Sequence, residues 1–255
     1  MLYADCHCHL DFKQFDGDRH DVIADAHALG VKVLVLPGVD RAGWGQLLKI
    51  SAQYSGVYSC VGLHPCFLGQ HKDEDFVVLE RLLGSENNIV AVGETGLDLT
   101  VGGLERQLFI FEKQIDLANR FGLPVVMHSR KAHNLILQVL NRKPLLHGGV
   151  LHGYSGSYEQ AMEFWRRGVY LGVGGVITYD RAKKTKHTFA RLPLDSIVLE
   201  TDSPDMPLQG SQGARNTPLS IPLIHKAFCS LRVESKARIN DQLMRNALKL
   251  FGIPD

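Results

Sequence analysis

Short apolar runs rich in β-branched residues alternate along this chain with longer stretches of mixed polarity. Eight runs predict strands, at Leu2–Cys6, Val33–Leu36, Val57–Gly62, Ile89–Gly93, Val125–His128, Gly149–His152, Tyr170–Gly172 and Ile197–Glu200. Their near-continuous hydrophobicity is that of strands buried on both faces, as in a parallel sheet covered by helices. Helical spacing is best marked at Gly103–Arg120, Ser157–Arg167 and Pro218–Ser230, with a closing helix near Ser235–Leu250. In the first of these, Leu108, Phe111, Ile115 and Leu117-Ala118 recur on one face, the stripe expected of a helix packed on a sheet. Phe121-Gly122-Leu123-Pro124 stops that helix before the next strand. Eight β–α units in 255 residues predict an α/β fold, a TIM-type (β/α)8 barrel forming a single domain over 1–255, in preference to a doubly wound sheet. No linker or low-complexity segment interrupts it. The Gly-, Gln- and Pro-rich stretch Asp205–Thr217 reads as a loop after the last strand.

Composition narrows the function classes. Hydrophobic content of 45% is ordinary for a chain with a sizeable core. No apolar run approaches the ~18 residues that span a bilayer. The expected strand beside Met1 leaves no place for a secretory leader. Five cysteines, an odd number with no C-x-x-C pair, point to reduced thiols and a cytoplasmic protein. A net charge of +1 gives no global basic footprint of a duplex-DNA binder. Any polyanionic substrate must be held locally.

The chemistry concentrates where strands end. In Tyr3-Ala-Asp-Cys-His7-Cys-His9, strand alternation would put both imidazoles on one side, with Cys6 and Cys8 on the other. Glu94, His128, His152 and Asp202 fall at the ends of the fourth, fifth, sixth and eighth predicted strands. A barrel brings those ends around one axis. Four imidazoles and two carboxylates suit two divalent ions, Zn, Mn, Co or Fe(II), with Mg less well matched to imidazole. Glu94, with two oxygens, can bridge them. His64, in His64-Pro65 at the end of the third strand, can touch a substrate phosphate or simply orient a loop. Arg130 can neutralise a phosphate or pair with Asp98; Arg215 can reach a phosphate from the last loop. The run Arg181, Lys183, Lys184, Lys186, His187 and Arg191 reads first as a solvated helix face, and otherwise as a track for single-stranded nucleic acid. Trp44 and Trp165 read as packing residues.

The ordered blocks Asp5–Asp11, Gly62-Leu-His64-Pro65, Gly93–Asp98, Leu123–Arg130, Gly149–Gly156 and Glu200-Thr-Asp202-Ser-Pro204 resemble the TatD family of metal-dependent deoxyribonucleases, within the amidohydrolase-like barrels. The resemblance implies His7, His9, Glu94, His128, His152 and Asp202 as metal ligands, with Glu94 bridging. It further implies hydrolysis of DNA phosphodiesters by two-metal activation of water, with single-stranded DNA ends as substrate. Glu94, Asp202 and His64 are then the candidate catalytic residues, and His64, Arg130 and Arg215 the candidate phosphate contacts. Neither a membrane nor an obligate protein partner is expected. The chain departs from the family pattern at Thr217, where a carboxylate is common. It departs again at Leu99–Gly103, which lacks the usual aromatic and basic pair, and at Gly153-Tyr154, where Cys-Phe often stands. A second reading uses the same barrel to hydrolyse a small amide or lactone. Glu94, standing where such barrels carry a modified lysine, favours the phosphodiester. A third, non-catalytic reading predicts missing ligands, and none is missing.

Overall fold

The computed structural model describes residues 1–86 and 88–254. Eight parallel strands form one sheet in sequence order: β1 (Tyr3–Asp5), β2 (Val31–Pro37), β3 (Val57–Val61), β4 (Ile89–Asp98), β5 (Val125–Arg130), β6 (Gly149–Leu151), β7 (Val169–Val173) and β8 (Ile197–Leu199). The sheet closes on itself. Cys6 N–H donates to Leu199 O at 2.9 Å, and Cys8 bridges Ser203 in parallel register. Around it run α1 (Arg19–Ala28), α2 (Arg41–Gln53), α3 (Glu74–Ser85), α4 (Leu104–Phe121), α5 (His133–Arg142), α6 (Tyr158–Trp165), α7 (Lys183–Arg191), α8 (Ile221–Cys229) and α9 (Lys236–Phe251). The architecture is the expected (β/α)8 barrel.

Two apolar layers hold it together. The outer one joins strand residues such as Leu34, Leu36 and Leu171 to helix residues such as Phe111, Ile115 and Phe164. The inner one takes a residue from every strand, among them Ala4, Val33, Cys60, Val90, Val126, Val150, Tyr170 and Val198. Ala247, Leu250 and Phe251 of α9 join this inner layer. The C-terminal helix therefore plugs one mouth of the barrel, and the strands' C-terminal mouth is left for chemistry. Trp44 is buried on α2 and donates Nε1–H to Gly62 O at 3.1 Å. Half-buried Trp165 packs on the inner layer.

Three elements differ from the sequence expectation. The strand expected to end at Gly93 continues to Asp98, pairing Asp98 with Arg130 on β5. Between Val92 and Thr95 its register slips by one residue, a bulge that re-aims the side chain inside it. That side chain is Glu94. Gly62 makes room for the bulge, since a Cβ there would meet Gly93 Cα at 2.6 Å. Second, β1 ends at Asp5, so strict alternation stops there. Cys6 joins the inner layer and Cys8 the outer one, instead of sharing a side. Third, the helix expected over Pro218–Ser230 begins as a 3-10 turn at Pro218–Ser220 and becomes α-helical at Ile221. No helix among the described residues is long and apolar enough to cross a membrane.

Candidate metal centre

Glu94 lies at the middle of a buried cluster, and its two oxygens face different neighbours. Oε2 stands 3.2 Å from His7 Nε2 and 3.6 Å from His9 Nε2. Asp202 Oδ1 completes that side, 3.5 Å from His7 Nε2 and 3.6 Å from His9 Nε2. Oε1 stands 2.9 Å from His152 Nε2, 3.1 Å from His128 Nδ1 and 3.2 Å from His64 Nε2. The structure thus gathers His7, His9, His64, Glu94, His128, His152 and Asp202 at one point.

Hydrogen bonds fix which ring nitrogens point inward with a lone pair. His9 Nδ1 lies 3.1 Å from Pro37 O. A carbonyl only accepts, so Nδ1 carries the proton and Nε2 is free to bind a cation. His128 Nε2 lies 3.3 Å from Asp98 Oδ2; the same logic leaves Nδ1 free. His64 is the opposite case. Its Nδ1 accepts from Cys66 N–H at 3.1 Å, so the neutral ring carries its proton on Nε2. His64 faces Glu94 as a donor, not as a ligand.

Charge in the cluster follows from burial and mutual proximity. Burial alone would raise the Glu94 pKa, but the rings of His152, His64 and His7 hold it well below the usual carboxylate range. Asp202 is likewise held down, with His9 the main partner against burial. Burial opposes charge on His9, yet Asp202 and Glu94 outweigh it and push its pKa up to about 9. Against the same burial, Glu94 pushes His152 up to about 10. Burial, aided by the His152 charge, pulls His7 down to about 4. The two carboxylates therefore demand positive charge beside them.

The donor set fits divalent cations. Donors bound at ~2.0–2.2 Å to one tetrahedral ion sit about 3.4 Å apart. The separations here run from 2.9 to 3.6 Å. His7 Nε2 and His9 Nε2 face each other at 3.3 Å, and His128 Nδ1 and His152 Nε2 at 3.1 Å. Two imidazole lone pairs at such distances repel unless a cation or a proton sits with them. His7, His9 and Asp202 form one compact ligand group, and His7, Glu94 and His152 another.

The sequence profile described as TatD related DNase matches residues 4–252. This chain belongs to the TatD family. It stands with that family among metal-dependent hydrolases. The Escherichia coli K12 protein YjjV, described as an uncharacterized metal-dependent hydrolase, is 40% identical over 99% of this chain and 98% of its own. The YjjV crystal structure, described as that of a TatD homolog, matches with a TM-score of 0.95, over 99% of this chain and 98% of that one. A Cronobacter sakazakii TatD, described as a 3'-5' ssDNA/RNA exonuclease, is 32% identical over 93% of each chain.

Other expected and unexpected residues of this TatD-family barrel can now be placed. Arg130 is exposed at the barrel mouth and makes no ion pair among the described residues. Asp98 does not pair with it. One Asp98 oxygen takes Thr100 N–H at 2.7 Å and Thr100 Oγ1 at 2.6 Å; the other faces His128 and the Cys66 thiol. Arg215 is committed elsewhere. It grips Asp18 with both terminal nitrogens, donates to Gln14 O, and lies over the Phe15 ring. That pairing ties the last loop to the segment before α1 and keeps the guanidinium from the cluster.

Sequence reasoning passed over the residues that hold the cluster in place. Gln107 and Gln114 are one heptad apart on the buried face of α4. Gln107 clamps the Asp98 backbone, accepting from its N–H at 2.9 Å and donating to its carbonyl at 3.0 Å. Gln114 does the same at Leu63, at 2.8 and 3.1 Å, and so sets His64. Asp5 accepts from His7 N–H and from Thr201 N–H and Oγ1–H, joining the ends of β1 and β8. Burial pushes its pKa up to about 7. Glu200 is buried beneath His152 and accepts from Gly153 N–H; burial pushes its pKa up to about 8. The signal for Asp98 was available. It sits four residues past Glu94 on a continuous strand, hence on the same face.

Proposed function

We propose that this chain, acting as one hydrolase domain over residues 1–255, is a two-metal phosphodiesterase that trims single-stranded DNA ends in the cytoplasm, where its thiols stay reduced. One observation carries the reading: the two oxygens of Glu94 face two separate donor groups. In this reading His7, His9 and Asp202 hold one ion, His128 and His152 hold the other, and Glu94 bridges. Zn, Mn, Co or Mg would serve. When bound, two such ions supply charge that acidifies water at neutral pH and offsets the charge gathering on phosphorus. Asp202, ionised and at the open side of the cluster, takes the proton of the attacking water. His64 donates its Nε2 proton to a phosphoryl oxygen, held in that tautomer by Cys66 N–H. Arg130, unpaired at the mouth, meets a second phosphate oxygen. Arg215 has no place in this scheme.

The names of relatives support the substrate. The Cronobacter protein is described as an ssDNA/RNA exonuclease, and a human relative, 31% identical over 97% of this chain, as deoxyribonuclease TATDN3. The test is a metal-titrated screen of 3′- and 5′-labelled single- and double-stranded DNA, RNA, amides and lactones. Chelator-sensitive cleavage of single-stranded DNA, restored by Mn, Co or Mg, is expected. Turnover of amides or lactones with no nucleolytic activity under any metal would overturn the reading.

A further inference from the structure

Two cavities open on the barrel mouth beside the metal centre, and they meet at Ser155, three residues past His152. One, of about 600 Å³, is lined by Ser129, Arg130, Lys131 and Asn134 among others. The other, of about 460 Å³, is lined by Tyr179, Arg181, Lys184 and Met206 among others. No carboxylate lines either one. Arg130, Lys131, Arg181 and Lys184 make no ion pair among the described residues, whereas Arg106, Arg120, Arg142 and Arg167 on the helical surface are all paired. Asp180, the acid adjacent to Arg181, is turned to Gln209 and to Lys186. On a chain of net charge +1, four unpaired cations around two joined cavities form a local field for a polyanion. The second cavity also carries a π surface: the Arg181 guanidinium lies 5.1 Å above the Tyr179 ring.

We propose that the cavity at Tyr179, Arg181 and Lys184 is a nucleotide subsite. There the Tyr179–Arg181 pair stacks a base of the bound strand and Lys184 holds its phosphate, while the Arg130–Lys131 cavity receives the neighbouring nucleotide. The proposal rests on the phosphodiesterase reading and extends it. The basic run of α7 is thereby divided. Lys184 and the preceding Arg181 serve the strand. Lys186 is paired with Asp180, and Arg191 lies over Tyr158.

The probe is a fluorescent phosphorothioate hexathymidylate, resistant to cleavage, titrated into the metal-loaded protein across a salt series. Arg181→Ala with Lys184→Ala should weaken binding about tenfold. It should also lower the salt slope by about 1.4, at ~0.7 per single-strand phosphate contact. Tyr179→Ala should weaken binding roughly 5- to 150-fold, the range for one stacked base. Tyr179→Phe, which keeps the ring and loses only the bond to Pro207 O, should bind as wild type. Lys186→Ala with Arg191→Ala is the surface control and should change neither affinity nor slope. Unchanged metal content and thermal midpoint identify folded variants. Wild-type affinity and slope in the Arg181/Lys184 variant would overturn the subsite while leaving the phosphodiesterase standing. A wild-type protein that neither binds the probe nor cleaves any oligonucleotide would overturn the reading beneath it.

Discussion

Replacing Asp98 by alanine should weaken one metal far more than the other. Asp98 touches neither Glu94 nor the His7–His9 side. Its one link to the cluster is the 3.3 Å contact to His128 Nε2. Two bonds from Thr100 and the Gln107 clamp on its backbone leave that carboxylate little freedom. It therefore imposes a tautomer: proton on Nε2, lone pair on Nδ1 toward Glu94 and His152. Without it the neutral ring shares its proton between both nitrogens and can rotate. Loss of such a partner typically costs 10- to 100-fold in metal affinity, or about 1.4–2.7 kcal/mol. The full loss should fall on the ion held by His128 and His152, and the ion at His7, His9 and Asp202 should weaken much less. Asp98→Asn, whose amide oxygen can still accept from Nε2–H, should lie between. Calorimetric titration of metal-free protein with Zn or Mn, checked by elemental analysis, reads both sites. The thermal midpoint separates folding from binding. Wild-type affinity at both sites in Asp98→Ala would refute the reasoning. The orienting bond should survive moderate acid. Burial would raise the Asp98 pKa, but the Thr100 hydrogen bonds and its other partners pull it down to about 2. A depressed carboxylate contributes stability that is full above its unfolded value near 4 and fades as pH falls toward 2.

Three further outcomes follow from the same geometry. Glu94→Ala removes the shared ligand and should release at least one metal with nearly all hydrolysis; unchanged stoichiometry by elemental analysis would show that Glu94 bridges nothing. In the metal-free protein at pH 7, His9 and His152 hold protons, since their pKa values are raised to about 9 and about 10. Metal loading must expel those protons, so affinity should fall as pH drops; calorimetry in buffers of different ionisation enthalpy should detect net release, and zero release would contradict it. At Gly172 a Cβ would stand 2.5 Å from Glu200 Cδ, so Gly172→Ala should cost roughly 1–3 kcal/mol by overpacking; a wild-type thermal midpoint would refute this.

The barrel and its ligands were legible because both are written in local pattern. A buried strand announces itself by a short β-branched run, and six of the seven clustered side chains were expected as ligands at such strands. His64, the seventh, was expected at the third strand's end, as a substrate contact. The miss at β4 has a physical cause. After Gly93 the apolar run gives way to Glu94-Thr-Gly-Leu-Asp98, which reads as loop because its polar groups are satisfied from outside the strand. Glu94 is met by imidazoles from β5 and β6, Thr95 by Gln114, and Asp98 by Gln107 and Thr100. Arg215 failed for a related reason. Its partner Asp18 lies 197 residues away, and no local pattern reveals which of several carboxylates a loop arginine will meet.

The same contrast explains where the cluster gets its order. Two carboxylates amid five imidazoles, nearly all buried, cost free energy in their desolvation, and nothing inside the cluster compensates for it without a cation. Rigidity must come from outside. Each of three rings has one nitrogen fixed by the scaffold: His9 by Pro37 O, His64 by Cys66 N–H, and His128 by Asp98. His7 and His152 are the exceptions, since Nδ1 of each finds no partner among the described residues. These two rings are stacked on each other at 4.0 Å. They are also the pair that face Glu94 from opposite oxygens. Their orientation is thus set by each other and by Glu94. Glu94→Gln should therefore disturb His7 and His152 together and leave His9 and His64 in place, which ¹⁵N-labelled imidazole spectra of the metal-free protein can resolve ring by ring. Coordinated change in all five rings would mean that the carboxylate, and not the scaffold, orders the cluster.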